Sequence, residues 1–242
     1  MVTRLRTVRL VLWDIDGTLV DSGGVAPDAF PLAFERTVGR PAAELAAMSG
    51  RTDQAIGLEI LERNGFEEPE RLWPDFARAL AEALAELEPA MRERGRALPG
   101  AREAIAALAA ADGVVQSLLT GNLKPNAAVK LGAFGLLVPE LDFEIGAYGS
   151  DDRDRDALVS IARERATARH GQAPEQTVLI GDTPLDVAAG QAGGARVVGV
   201  ATGLYDVAAL AEAGADALLE DLLDTEAVMV AVLASAEEAA PA

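Results

Sequence analysis

The chain has 242 residues, half of them apolar, and a formal net charge of −18 from 39 acidic and 21 basic residues. That size suits one large α/β domain or a core with a smaller companion, while the acidic excess disfavours nonspecific nucleic-acid binding, which basic surface drives. Cysteine is absent and His170 is the only histidine, which excludes disulfides, thiol catalysis and Cys- or His-clustered metal, and leaves a Ser-His-Asp triad without a ready base.

The opening "MVTRLRTVRLVLW" is basic and then apolar, but Asp14 and Asp16 cut the run short of a signal peptide or membrane span. A soluble cytoplasmic protein without membrane partners is expected. "LVLWDIDGT" has the length and apolar content of a strand buried on both faces. It ends on two carboxylates, which are costly to desolvate unless a cation meets them. From about Asp21 to Arg96 no strand pattern appears. "APDAFPLAFERTVG", "RTDQAIGLEILERNG" and "EEPERLWPDFARALAEALAELEPAMRERG" read as amphipathic helices. Roughly 75 such residues far exceed the ~10–15 that a crossover needs. They predict an inserted helical cap over 21–96.

After the cap, strands and helices alternate. "PGAREAIAALAAAD" is a helix with Pro99 in its first turn, followed by the strand "VVQSLLTGN" and the helix "PNAAVKLGAFGL". "FEIGAYGSD", "TVLIGDTP" and "RVVGVATG" are further strands, separated by "RDALVSIARERATARH" and "PLDVAAGQAGG", and "ADALLEDL" holds a further short one. This order predicts a doubly wound parallel sheet, a Rossmann-like core over 1–20 and 97–236, with a flexible tail at 237–242.

In open parallel sheets ligands bind beyond the carboxyl ends of the strands. Those ends carry Asp14, Asp16 and Thr18; Thr120, Gly121 and Asn122; Ser150 to Arg155; and Asp182, Thr183 and Asp186. Carboxylates from two strands, hydroxyls from two and a basic segment from a third suit divalent-metal-assisted work on a phosphate.

"DIDGTLVDS", "LLTGN" and "LIGDTPLD", in that order, resemble three of the four motifs of the haloacid dehalogenase-like hydrolase superfamily, nearest its phosphoglycolate phosphatase-like subgroup. The helical insertion falls where that family carries its helical cap. The resemblance implies Asp14 as nucleophile forming an aspartyl phosphate and Asp16 as the acid and base that serves the leaving group and then water. It implies Thr120 on a phosphate oxygen, beside the backbone of Gly121 and Asn122, with Gly17 and Thr18 shaping the first loop. Mg²⁺ would be held by Asp14, Asp16 through its backbone carbonyl, and Asp182, with Asp186 as a further ligand or as outer support. The family's third motif is most often a lysine after the third strand. Here "GSDDRDRDALV" offers Arg155, which opens the helix, or Arg153.

An acid at position 16 fits cleavage of a P–O bond, whereas dehalogenases typically lack it. Residues 21–97 contain no lysine for the Schiff base of phosphonate-cleaving relatives. The expectation is therefore a Mg²⁺-dependent phosphatase acting on a small phosphorylated metabolite. A sugar phosphomutase on the same core and a non-catalytic binding protein are the alternatives. A phospho-accepting receiver domain is also doubly wound, but it places its acceptor on a later strand and has no cap. In the cap, "MSGRTDQAI" offers Arg51 for a substrate carboxylate or second phosphate, or as a plain surface arginine, while Thr52 or Asp53 suits a helix N-cap. His170 fits a helix C-terminus, and Trp13 and Trp73 fit packing roles.

Overall fold

The structure, a computed structural model, describes residues 8–234; the tail at 237–242 lies outside them. In chain order the elements are β1 (Arg9–Trp13), β2 (Val20–Asp21), α1 (Ala29–Val38), α2 (Asp53–Arg63), α3 (Trp73–Arg94), β3 (Arg96–Ala97), α4 (Ala101–Ala109), β4 (Val114–Thr120), α5 (Lys124–Ala133), β5 (Ala147–Tyr148), α6 (Leu158–His170), β6 (Gln176–Gly181), α7 (Pro184–Ala192), β7 (Arg196–Val200), α8 (Val207–Ala213), β8 (Ala217–Leu219) and α9 (Thr225–Leu233). Six strands form a parallel sheet in the order β5-β4-β1-β6-β7-β8.

Strand alternation explains why β1 is apolar throughout. Val11 and Trp13 face the layer of α4, α5 and α9, packing with Ile105, Leu131 and Val228. Leu10 and Leu12 face the opposite layer, with Leu158 and Ala162 of α6 and Ala189 of α7. A strand covered on both sides has no solvent face to mark with polar residues. Trp13 is a packing residue whose indole N–H donates to Gln116 Oε1 at 2.9 Å.

The helices between β2 and β3 enclose a core of their own, built on Phe30, Phe34, Ile60, Leu61, Phe76 and Leu80. Two local features depart from the sequence expectation. β2 and β3 pair antiparallel, with Val20 opposite Ala97 and Asp21 opposite Arg96. The segments leaving and re-entering the core run side by side, and pairing satisfies their backbone groups. In "FEIGAYGSD" only Ala147 and Tyr148 join the sheet. Asp142 Oδ1 accepts from the backbone N–H of Glu144 at 3.0 Å, and this local turn takes the preceding residues out of the ladder.

Candidate active site

β1 lies between β4 and β6, with Trp13 in register with Leu118 and Ile180. Adjacent strands are ~4.8 Å apart, so three residues at these ends converge: Asp14 just past β1, Thr120 at the last position of β4 and Asp182 just past β6. The backbone N–H of Asp14 donates to the carbonyl of Ile180 at 2.9 Å, which fixes it at the sheet's end. All three side chains are buried and line a cavity of about 590 Å³ between sheet and cap.

The carboxylates are crowded. One oxygen from each of Asp14, Asp182 and Asp186 lies within 4.8 Å of the others. Burial pushes the Asp14 carboxyl up to about 7; Arg155 opposes the shift, and Asp186 and Asp16 add to it. Asp182 is pushed up to about 8, by burial and then by Asp14 and Asp186, against a hydrogen bond from Thr18. Arg155 is the buried counter-charge. Its Nη2 lies 3.1 Å from Asp14 Oδ1 and also contacts Asp186 Oδ1, while Nη1 donates to the carbonyl of Gly50 in the cap at 3.0 Å. Burial works against its charge, but Asp186 and Asp14 outweigh that and raise its pKa. One guanidinium cannot neutralise three carboxylates, and the remaining negative charge is what a cation would meet.

A buried, all-oxygen donor set suits a hard divalent cation such as Mg²⁺. Asp14 and Asp182 have oxygens to offer it. Asp186 does not share that freedom. Its Oδ1 is taken by Arg155, and its Oδ2 accepts from the backbone N–H of Thr183 at 3.0 Å and from the Thr183 hydroxyl at 2.7 Å. The bond from the Thr183 N–H, with the Asp186 backbone N–H donating to Thr183 Oγ1 at 3.2 Å, makes a capping box at the start of α7. With both oxygens so engaged Asp186 supports Arg155 in the metal-free fold, while it also stands in the acidic cluster with Asp14 and Asp182.

Around this cluster the loop after β1 is tightly built. Gly17 has φ +80°, and a Cβ there would lie 2.3 Å from Asp182 Oδ2, so only glycine lets the loop pass the carboxylate. The Thr18 hydroxyl donates to Asp182 Oδ1 at 3.2 Å, holding the carboxylate instead of lining the cavity. Thr120 Oγ1 accepts from the Asn122 side-chain amide at 2.7 Å and its backbone N–H at 3.3 Å, which leaves the threonine proton for a ligand oxygen. Asn122 Nδ2 also donates to Asp16 Oδ2 at 2.7 Å.

Asp16 is held by a partner that the motifs do not indicate. Lys130, on α5 and buried, donates to both Asp16 oxygens, at 2.7 and 2.6 Å. Arg155 supplies the cation expected after the third strand, and a second one comes from the helix after β4. Its signal is a lysine four residues beyond Asn126, on the same face of a short helix and among apolar neighbours.

The cap residues separate in the same way. Thr52 is the N-cap of α2, accepting from the backbone N–H of Ala55 at 3.1 Å, and its hydroxyl donates to the carbonyl of Arg153 at 2.7 Å. The Asp53 backbone N–H donates to the carbonyl of Gly121 at 2.7 Å; its Oδ2 accepts from the Leu123 backbone N–H at 2.8 Å and Asn126 Nδ2 at 3.0 Å. Burial raises the Asp53 carboxyl pKa against the pull of Lys130. These bonds fasten cap to core. Arg51 lines the cavity but is paired with Glu59 at 2.6 Å and donates to the carbonyl of Ala47 at 2.9 Å. The Arg153 side chain is exposed, lies 3.9 Å from Glu70 and is not among the cavity residues, so Arg155 and not Arg153 faces Asp14.

No helix among the described residues is long and apolar enough to cross a membrane. No curated protein sequence matches the chain significantly. Solved structures do. A hydrolase from Pseudomonas syringae is 25% identical with a TM-score of 0.63, over 90% of this chain and 95% of that one. A predicted phosphoglycolate phosphatase from Haemophilus somnus is 20% identical, with a TM-score of 0.62 over 92% and 98%. CbbY from Rhodobacter sphaeroides, solved with xylulose-(1,5)bisphosphate, is 18% identical, with a TM-score of 0.63 over 90% and 96%; these last two likenesses concern the fold alone. The HAD-hydrolase-like profile matches residues 158–225. The haloacid dehalogenase-like hydrolase profile matches residues 11–191, from the strand that carries Asp14 to the helix behind Asp186, and the chain belongs to that family of enzymes.

Proposed function

We propose that this hydrolase is a phosphatase that transfers the phosphoryl group of a small phosphomonoester to Asp14 and then to water. The observation that carries the reading is the convergence of Asp14, Thr120 and Asp182 at three neighbouring strand ends, with Asp16 two residues beyond Asp14 and Arg155 against it. We place the divalent cation, Mg²⁺ by donor type, on Asp14, Asp182 and the backbone carbonyl of Asp16. When bound it supplies positive charge that lets a dianionic phosphate enter beside ionised carboxylates.

The chain's own groups do the rest. A carboxylate oxygen of Asp14 attacks phosphorus, and the bond from phosphorus to the ester oxygen breaks. Asp16, protonated at that moment, gives its proton to the departing alkoxide, so an alcohol leaves. A water then attacks the aspartyl phosphate, and Asp16 takes its proton. The bond from phosphorus to the Asp14 oxygen breaks and inorganic phosphate is released. Thr120 and Arg155 bind phosphoryl oxygens, with backbone N–H groups near Gly121 and Asn122. Lys130 and Asn122 orient the Asp16 carboxyl. A sugar phosphomutase is less supported, because the cap presents mainly apolar carbon to the cavity where a second sugar phosphate would need donors.

The direct test is Mg²⁺-dependent hydrolysis of p-nitrophenyl phosphate. The wild-type chain should turn over, Asp14→Asn should not, and chelation should stop the reaction. No turnover of this ester or of a panel of metabolite phosphates would favour the non-catalytic binding role.

A further inference from the structure

The cap half of the cavity has no use in the phosphoryl chemistry, and its composition is specific. Phe30 of α1, Ile56 of α2, and Leu80 and Leu84 one turn apart on α3 line it, with Val20 and Leu98 at the hinge ribbon. All of them are at least nine-tenths buried, most of them packing in the apolar cores of cap and sheet, so each offers the cavity only an edge; Met48, half-buried, offers more. Leu204, which is exposed and lines the same cavity, continues this apolar wall towards solvent.

Among the described residues, the basic side chains lining the cavity are Arg51, Arg96, Lys130 and Arg155, against the carboxylates of Asp14, Asp16, Asp21, Asp53 and Asp182. Each of these cations already has an acidic partner: Arg51 with Glu59, Arg96 with Asp21 at 3.1 Å, Lys130 with Asp16, and Arg155 with Asp14 and Asp186. Once the reacting phosphate is bound, a second anionic group would enter a cleft with more carboxylates than cations and no unpaired counter-charge. Its desolvation would go uncompensated. Arg96 is the most exposed of the four, and a solvent-screened pair there offers little to an incoming anion. A carbon chain meets no such penalty and gains from every methylene it buries.

Resting on the phosphatase reading, we propose that the substrate's leaving group is an uncharged, chiefly apolar alcohol, alkyl or aryl, and not the carboxylate- or phosphate-bearing tail that Arg51 suggests from sequence. The cap is then a hydrophobic specificity pocket. A volume of about 590 Å³ is within the range of sites for small organic ligands and exceeds what a phosphate alone requires.

The test is kcat/KM for straight-chain alkyl phosphates from methyl to hexyl, with phosphoglycolate and p-nitrophenyl phosphate alongside, on the Mg²⁺-loaded wild-type enzyme. Alkoxide leaving-group basicity changes little along the series, so chain length isolates the pocket. We expect kcat/KM to rise by about fourfold per methylene until the wall is filled. Phosphoglycolate should fall below propyl phosphate. A flat series, or phosphoglycolate ahead of every alkyl ester, overturns the apolar-pocket proposal while leaving the phosphatase intact. Absence of phosphate release from all of these esters overturns the phosphatase reading itself. Leu84→Phe supplies a second readout: by filling the pocket it should shorten the preferred chain, and an unchanged optimum in the folded variant also counts against the proposal.

Discussion

Asp186 illustrates how one residue's role is decided by its hydrogen bonds. Its spacing from Asp182 suits a second metal ligand or an outer support, and in the metal-free fold Arg155 and Thr183 bond to both of its oxygens, which favours support. Asp186→Asn should therefore act through Arg155, leaving that buried cation with Asp14 alone. We expect a loss of about 3 kcal/mol in urea-induced unfolding measured without divalent cation, and a ~10–100-fold fall in kcat from the misplaced guanidinium. An unchanged unfolding midpoint would contradict this role. Lys130→Met removes the cation from both Asp16 oxygens and should lower kcat by ~10–100-fold with a smaller effect on KM; steady-state kinetics on p-nitrophenyl phosphate would show it. Asp16→Asn should cost ~10²–10⁴-fold, the loss expected on removing a general acid and base. Asp14, Asp16, Thr120 and Asp182 are legible in the sequence because a parallel sheet brings its strand ends together wherever they fall in the chain. Lys130 leaves only its spacing from Asn126 as a mark, since a lysine inside an amphipathic helix ordinarily points to water, and the tertiary packing of α5 turns this one inward.

At the scale of elements, the seam between cap and core depends on close backbone approach. A Cβ at Gly121 would lie 2.1 Å from the carbonyl oxygen of Arg51, so the loop after β4 admits the start of α2 only as glycine. Gly121→Ala should hold the cap off the core. Its expected signature is a fall in kcat/KM on capped-site substrates of ~10²-fold, the cost of misplacing binding groups by about an ångström, with the far-ultraviolet circular dichroism unchanged. Wild-type kinetics from that variant would remove the seam from the account. The helices of the cap were legible from their apolar periodicity. The β2–β3 ribbon was not, because two-residue strands carry no alternation to read, and pairing there follows from where the chain must cross. The shortness of β5 was hidden for the opposite reason. "FEIGAY" has strand composition, and the turn at Asp142 overrides it.

For the whole molecule the governing quantity is negative charge held out of water. Asp14 and Asp182 sit at about 7 and about 8 in the fold, above the ~3.9 of a free aspartate. The metal-free fold therefore binds more protons than the unfolded chain between about pH 4 and pH 8, and its stability should fall as pH rises through that window. A divalent cation binds the deprotonated cluster, so Mg²⁺ should raise Tm more at pH 8 than at pH 6; equal shifts would speak against the cluster as the cation site. The fold class could be read from apolar runs and their spacing alone, as could the three helices between β2 and β3. The balance of ion pairs that leaves each cation of the cavity wall with an acidic partner could not, because Glu59, Asp21 and Asp186 declare their partners only in three dimensions.

The most direct measurement is rapid chemical quench of the Mg²⁺-loaded enzyme during turnover of a phosphomonoester, followed by mass spectrometry of its peptides. The account predicts one phosphoryl group on the peptide that contains Asp14, formed and lost at rates that match turnover, and none in Asp14→Asn. A phosphoryl group on another residue, or phosphate released at full rate with Asp14 never modified, would contradict it.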